Sequence, residues 1–202
     1  MSIKSKREFF DHHAPDWDRL YEPEALARLS QLIADLPFGS ARRVLDVGCG
    51  TGVLWPLLRG RLSTNGTLAA IDLSYEMLSQ ASAKREADVL AIHADAHWLP
   101  FASETFELVI CFATFPHLGN QDAAMGEMGR VLRQGGELWI IHLMSREEIA
   151  RHHRSAGPEV QHDTLPDHYS MEQMMESAGI EPIEIVDVPS RYVARGRKRK
   201  GG

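Results

Sequence analysis

The 202-residue chain holds only two cysteines, Cys49 and Cys111. That excludes a disulfide framework and points to a reducing, cytoplasmic home. Long apolar runs are missing too, and none approaches the roughly 18 residues of a membrane span. The basic start from Met1 to Arg7 has no apolar stretch behind it, so no secretory signal is read there. Positive charge is the minority: 22 Lys and Arg face 28 Asp and Glu, for a net charge of −6. That balance argues against general binding to nucleic acid or to anionic membranes. No internal repeat or low-complexity segment occurs. What remains is ordinary globular composition, 44% hydrophobic and 25% charged, at a length suited to one domain.

The middle of the chain alternates short apolar runs with helical patterns, the signature of βαβ units around a parallel sheet. Strands are expected at 43–47, 67–71, 89–93, 106–112 and 138–142, because continuous apolar runs fit strands covered on both faces. Two later runs, 182–188 and 191–194, alternate more and suit an antiparallel edge. Helices are expected over Pro23 to Leu36, Gly52 to Leu62, Ser74 to Ala83, Gln121 to Leu132 and Asp167 to Ala178. Ser145 and Glu148 have capping-box spacing, so another helix starts there and runs toward His153.

The informative stretch is Val44 to Gly52, where a strand runs into Gly48, Gly50 and Gly52 and a helix follows. Glycines there permit positive φ and let backbone approach a ligand. A dinucleotide fingerprint needs G-x-G-x-x-G, and Val53 stands where its third glycine belongs. The Gly-Lys-Ser/Thr of a phosphate-binding P-loop is also missing. Asp72 ends the next strand, placed to accept both hydroxyls of a ribose. The pattern therefore suits an adenosine ligand without a pyrophosphate.

These residues, with Ala70 to Leu78, Ala94 to Phe101 and Arg130 to Gly136, resemble the class I S-adenosylmethionine-dependent methyltransferases. The likeness spans roughly residues 9 to 188 and is strongest to the small-molecule branch that includes quinone-biosynthesis and type 11 enzymes. It implies an α/β, Rossmann-like fold: a mostly parallel seven-stranded sheet in the order 3-2-1-4-5-7-6, helices on both faces and an N-terminal helical lid. It implies residues 1–36 as the lid, 37–196 as the S-adenosylmethionine-binding domain and 197–202 as a basic tail. It also implies the cofactor site. Gly48, Cys49, Gly50 and Gly52 would line the methionine part, and Asp46 would hold the loop or receive the methionine amino group. Asp72 would bind the ribose, with Leu73 and Met77 near the adenine. Asp95 would accept from the adenine amino group, and the Ala96 N–H would meet a ring nitrogen. Phe112 completes the set.

The substrate is expected over the fourth and fifth strands, facing Ala113 to Leu118 and His142 to Met144. The fourth strand lacks the Asn/Asp-Pro-Pro-Tyr/Phe signature of enzymes acting on nucleic-acid amines, which makes a nucleic-acid partner unlikely and favours a small-molecule substrate. Phe112, Phe115, Leu118 and Trp98 form an apolar set suited to it. His117 and His142 have the chemistry of a catalytic base. An alternative gathers His117, His142 and His152 or His153 into a divalent-metal site, with His162 and Asp163 as further donors. A third reading is a non-catalytic domain that senses the cofactor. Phe9 to Asp18 suggest two short amphipathic helices closing over the cofactor, with Trp17 and Tyr21 on one face. Arg191 to Lys200 is a basic run, read as a last strand and frayed tail.

Overall fold

Strands buried on both faces need helices on both sides, and the chain supplies them. The computed structural model describes residues 3–35, 41–84 and 89–201. Its strands are β1 (Arg43–Val47), β2 (Thr67–Asp72), β3 (Val89–His93), β4 (Phe106–Phe112), β5 (Leu132–His142), β6 (Ile180–Val188) and β7 (Arg191–Lys198). They form one sheet in the order β3-β2-β1-β4-β5-β7-β6. β1 to β5 pair parallel, while β7 lies antiparallel between β5 and β6. This is the mostly parallel seven-stranded arrangement that the sequence resemblance implies.

Alternate residues of a strand face opposite ways, and two apolar cores result. Val44, Leu68, Leu108 and Ile110 pack with Leu29 and Ile33 of α2 (Pro23–Asp35), Trp55 and Leu58 of α3 (Trp55–Arg59), and Leu78 of α4 (Tyr75–Ala83). On the other face, Leu45, Val47, Ile71 and Val109 pack with Met125 and Met128 of α5 (Gln121–Val131) and Met171 and Met175 of α7 (His168–Ser177). Ile149 of α6 (Arg146–Ala156) joins this second core. Ahead of the sheet stand α1 (Ile3–His13) and a 3-10 segment, Ala14–Leu20.

Helix starts follow their caps. Ser74, Asn120, Ser145 and Asp167 each accept a backbone N–H from the first turn of the helix they precede. Ser145 and Glu148 form the expected capping box. Three expectations change. The helix expected from Gly52 begins at Trp55, because tight turns consume residues 51–54. The fifth strand begins at Leu132 and not at Leu138, carrying Gly135 at φ +74° through an irregular register. The second helix of the N-terminal segment forms as the 3-10 segment Ala14–Leu20. β7 also continues through Arg197 and Lys198, residues expected in the tail. Leu36 and the boundary expected between residues 36 and 37 lie outside the described residues.

Candidate functional site

A cavity of about 1040 Å³, counting its open mouth, lies beyond the carboxyl ends of β1, β2, β3 and β4, where ligands bind in open α/β sheets. Its floor is the glycine loop. Gly48 has φ +70°, and a Cβ there would sit 2.1 Å from Cγ2 of Thr114. Gly50 has φ +53°, and its missing side chain would meet only Nε1 of Trp17, at 3.9 Å. One glycine is thus required by the protein's own packing, and the other leaves a bare backbone face toward the cavity. Thr114 ties the end of β4 to the loop, its Oγ1 lying 2.9 Å from the Gly48 and Phe112 carbonyl oxygens. Ala113 beside it has φ +53°, a strained conformation for a residue with a side chain.

Three acids edge this floor. Asp46, near the end of β1, is 1% exposed, and among the described residues neither carboxylate oxygen has a full hydrogen bond, although the Trp55 indole N–H, itself unpaired, lies close enough to favour the charged form. Burial, with help from the nearby charge of Asp72, raises its pKa to about 7. Asp72 ends β2. Its Oδ2 accepts the Gly50 N–H at 2.7 Å and its Oδ1 the Ser74 N–H at 2.8 Å. Burial raises its pKa even so, against those two bonds. Asp95 follows β3, with Oδ1 accepting from the backbone N–H and Nδ1 of His97. The Asn120 N–H donates to His97 Nε2 at 3.1 Å, so neutral His97 carries its proton on Nδ1. His97 thereby fixes Asp95 and ties it to the cap of α5.

Other walls of the cavity include Cys49, Leu73, Met77, Ala96 and Phe112. Gly52 is not on the wall; it packs against the Trp55 ring. Trp98, expected near the substrate, is 81% exposed and off the cavity, because the turn after Asp95 aims it outward. Phe115 is fully buried in the core beside α5, whereas Leu118 does reach the wall.

The N-terminal segment closes one side through Lys6, Phe10, Trp17 and Tyr21. It is stapled at separate points. Asp11 accepts from the Ser74 hydroxyl at 2.6 Å. Asp18 accepts from the Thr51 hydroxyl and pairs with Lys84 at 2.7 Å. Lys6 donates to Asp163 at 2.6 Å and to the His117 carbonyl at 2.9 Å. Lys6 belongs to no motif, so sequence reading missed it, and Thr114, expected to face the substrate, instead ties β4 to the glycine loop.

Of the histidines, His117 lines the cavity. Its Nδ1 lies 2.8 Å from Asp163 Oδ2, and burial lowers its pKa against the pull of that bond. The His153 ring is 4.7 Å from that of His117, with Nδ1 2.6 Å from the Asp163 carbonyl. His142 is 4% exposed and off the cavity wall, its Nε2 without a partner. Burial, reinforced by His117 and His153, lowers its pKa to about 3. His152 and His162 are exposed. Among the described residues, no group of three or more His, Cys, Asp or Glu has metal-holding geometry. The three rings of the expected metal shell, His117, His142 and His153, are therefore not arranged to hold an ion: His142 is sealed beside Tyr192, away from the cavity that His117 lines.

Residues 45–140, spanning the glycine loop and all three acids, match the family model described as a methyltransferase domain, type 11. The chain carries a methyltransferase domain. Curated relatives of this domain include malonyl-[acyl-carrier protein] O-methyltransferase of Herminiimonas arsenicoxydans, 35% identical over 72% of this chain and 57% of that protein. Demethylmenaquinone methyltransferase of Thermus thermophilus is 33% identical over 65% of this chain and 63% of its own. The chain spans between about two fifths and two thirds of the length of the curated relatives it matches. A solved SAM-dependent methyltransferase from Aquifex aeolicus has the same fold, with a TM-score of 0.71 at 23% identity over 92% of this chain and 98% of its own. No helix among the described residues is long and apolar enough to cross a membrane.

Proposed function

We propose that the chain transfers a methyl group from S-adenosylmethionine to a small-molecule acceptor, with His117 as the base when the acceptor must lose a proton. One observation carries this reading: a buried carboxylate with no cationic partner among the described residues, Asp46, lies under a loop whose Gly50 presents bare backbone. An unpaired buried acid is costly unless a cation joins it, and the methionine ammonium is such a cation. The other two acids fit the rest of the molecule. Each Asp72 oxygen keeps a lone pair free after its backbone bond, enough to receive the ribose hydroxyls. Asp95 is held through Oδ1, leaving Oδ2 toward the adenine amino group.

When bound, the cofactor supplies a methyl on a sulfonium that is already activated to leave. The protein's task is then to orient the acceptor and exclude water. Phe10, Trp17, Tyr21 and Phe112 give that side of the cavity an apolar, aromatic character, suited to a small organic acceptor. His117 has no hydrogen bond on Nε2 among the described residues and stays neutral near pH 7, so it can take a proton there. The N-terminal segment, pinned by Asp11, Asp18 and Lys6, acts as the lid.

Titration calorimetry with S-adenosylmethionine tests the reading. Binding is expected, weakened by Asp72→Ala at least about tenfold through loss of a two-hydroxyl contact. No binding, or unchanged binding in Asp72→Ala, overturns the cofactor assignment. Binding without methyl transfer to any of a broad set of acceptors favours a cofactor-sensing role.

A further inference from the structure

We infer that Asp163 is the positioning residue of His117, and that Lys6 makes this arrangement depend on the docked N-terminal helix. The inference rests on the reading of His117 as the base.

The hydrogen bonds fix the protons. A carboxylate only accepts, so the 2.8 Å contact from Asp163 Oδ2 places the proton of neutral His117 on Nδ1. Nε2 is left as the lone-pair nitrogen, the tautomer a base requires. A carbonyl also only accepts, so His153 likewise carries its proton on Nδ1, donating to the Asp163 carbonyl. The backbone and side chain of Asp163 are thus both held, one by each imidazole.

Asp163 needs this support. It lies between α6 and α7, in a stretch with neither helix nor strand, where its own N–H reaches the Val160 carbonyl at 2.8 Å. Its second oxygen, Oδ1, is bound by Lys6 at 2.6 Å, and both side chains are 11% exposed. Burial alone would push the carboxyl up, but the bonds from His117 and Lys6 outweigh it and hold the group below the ordinary carboxylate range. Lys6 spends a second N–H on the His117 carbonyl, so one ammonium grips both members of the pair. The remaining groups that act on His117 are Phe10 of α1, edge-on at 5.1 Å, His152 and His153 of α6, and His142 of β5. None of these is an anion, so Asp163 is the one that fixes its tautomer. Lys6 sits 157 residues from Asp163 along the chain and belongs to the lid. When α1 leaves, Asp163 loses its cation and opens to water, and His117 loses its fixed orientation. The base is complete only while the lid covers it.

Nitrogen chemical shifts of the full chain labelled with ¹⁵N-histidine report the tautomer directly, without any acceptor. At neutral pH the parent is expected to show His117 almost wholly as the Nδ1–H form. Asp163→Asn, whose amide can both donate and accept, is expected to shift the tautomer ratio by about tenfold or more, and Asp163→Glu to restore most of it. Lys6→Met is expected to shift it in the same direction by a few-fold. An unchanged His117 signal in Asp163→Asn overturns the positioning role, as does failure of Asp163→Glu to restore a shifted ratio. An unchanged signal in Lys6→Met overturns the link to the lid. Titrating S-adenosylhomocysteine into the same samples separates the two readings. If even the parent fails to bind it, the proposed methyl transfer falls while the tautomer result stands.

Discussion

Burial disfavours the charged form of a carboxylate, and burial, helped by the Asp72 charge and opposed by the Trp55 indole N–H, holds Asp46 at about 7. Between about pH 4 and 7 the folded protein keeps a proton on Asp46 that the unfolded chain has released, so this residue lowers stability as pH rises through that window. Asp46→Asn is therefore expected to stabilise the ligand-free protein more at pH 8 than at pH 5, by roughly 2–4 kcal/mol in the difference. Thermal unfolding at the two pH values checks it. A bound ammonium reverses the preference. At pH 6, S-adenosylhomocysteine binding should release up to about one proton, read by calorimetry in buffers of different ionisation enthalpy, and none from this site in Asp46→Asn. The two central glycines separate folding from binding in the same way. Gly48→Ala drives a Cβ into Thr114 at 2.1 Å and is expected to destabilise by several kcal/mol. Gly50→Ala meets nothing closer than 3.9 Å, so it should cost only about 1 kcal/mol of backbone strain. It should nevertheless weaken cofactor affinity at least about tenfold, because the added methyl stands where backbone must approach the ligand.

At the scale of elements, the lid is held by bonds that are weak one at a time. The Asp18 and Lys84 side chains are 53% and 36% exposed, and partly exposed pairs contribute little each. Asp11→Asn combined with Asp18→Asn is expected to leave the unfolding midpoint almost unchanged, since neither side chain belongs to either core. Trypsin cleavage at Arg7 and Arg19 should accelerate several-fold, because cleavage follows the open population. Time-resolved limited proteolysis decides it. What sequence reading saw and missed divides along the same line. β1 and β3 were legible to the residue because their apolar runs stop at glycine or just before aspartate, and β4 because its run from Phe106 to Phe112 is nearly continuous. The α3 start was not, since nothing in Thr51 to Leu54 announces consecutive tight turns. β5 was cut short because Gly135-Gly136 reads as a turn, although here the glycines bend a continuing strand. The acids Asp46, Asp72 and Asp95 were legible because each sits in the last residues of a strand or just beyond it. Lys6 and Asp163 were not paired, because their contact depends on how distant segments pack and no local spacing records it. Three histidines of suitable chemistry suggested a metal, and only tertiary structure reveals that His142 is buried away from the cavity that His117 lines.

Across the whole molecule, three buried histidines tune the response to acid. His117, His142 and His153 all have folded-state pKa values below the ordinary histidine value, burial being the main cause. The unfolded chain takes up protons below about pH 6.5 that the folded protein refuses, so their contribution to stability is full above that value and is lost as pH falls. For His142 the loss runs down to about pH 3. Its Nε2 is also buried without a partner, so His142→Leu removes both penalties. The variant is expected to gain stability over the parent at pH 5 relative to pH 7.5, by about 1–2 kcal/mol, measured by denaturant unfolding at each pH. The seating of β7 has a consequence for synthesis. Among the described residues β6 has no neighbour except β7, so until residues 191–198 have emerged from the ribosome β6 has nothing to zip onto and the flank of β5 stays bare. The nascent protein can assemble β1 to β5 first, but its sheet must wait with a gap that only the later-made strand fills. Pausing translation near residue 190 should leave it most in need of a chaperone.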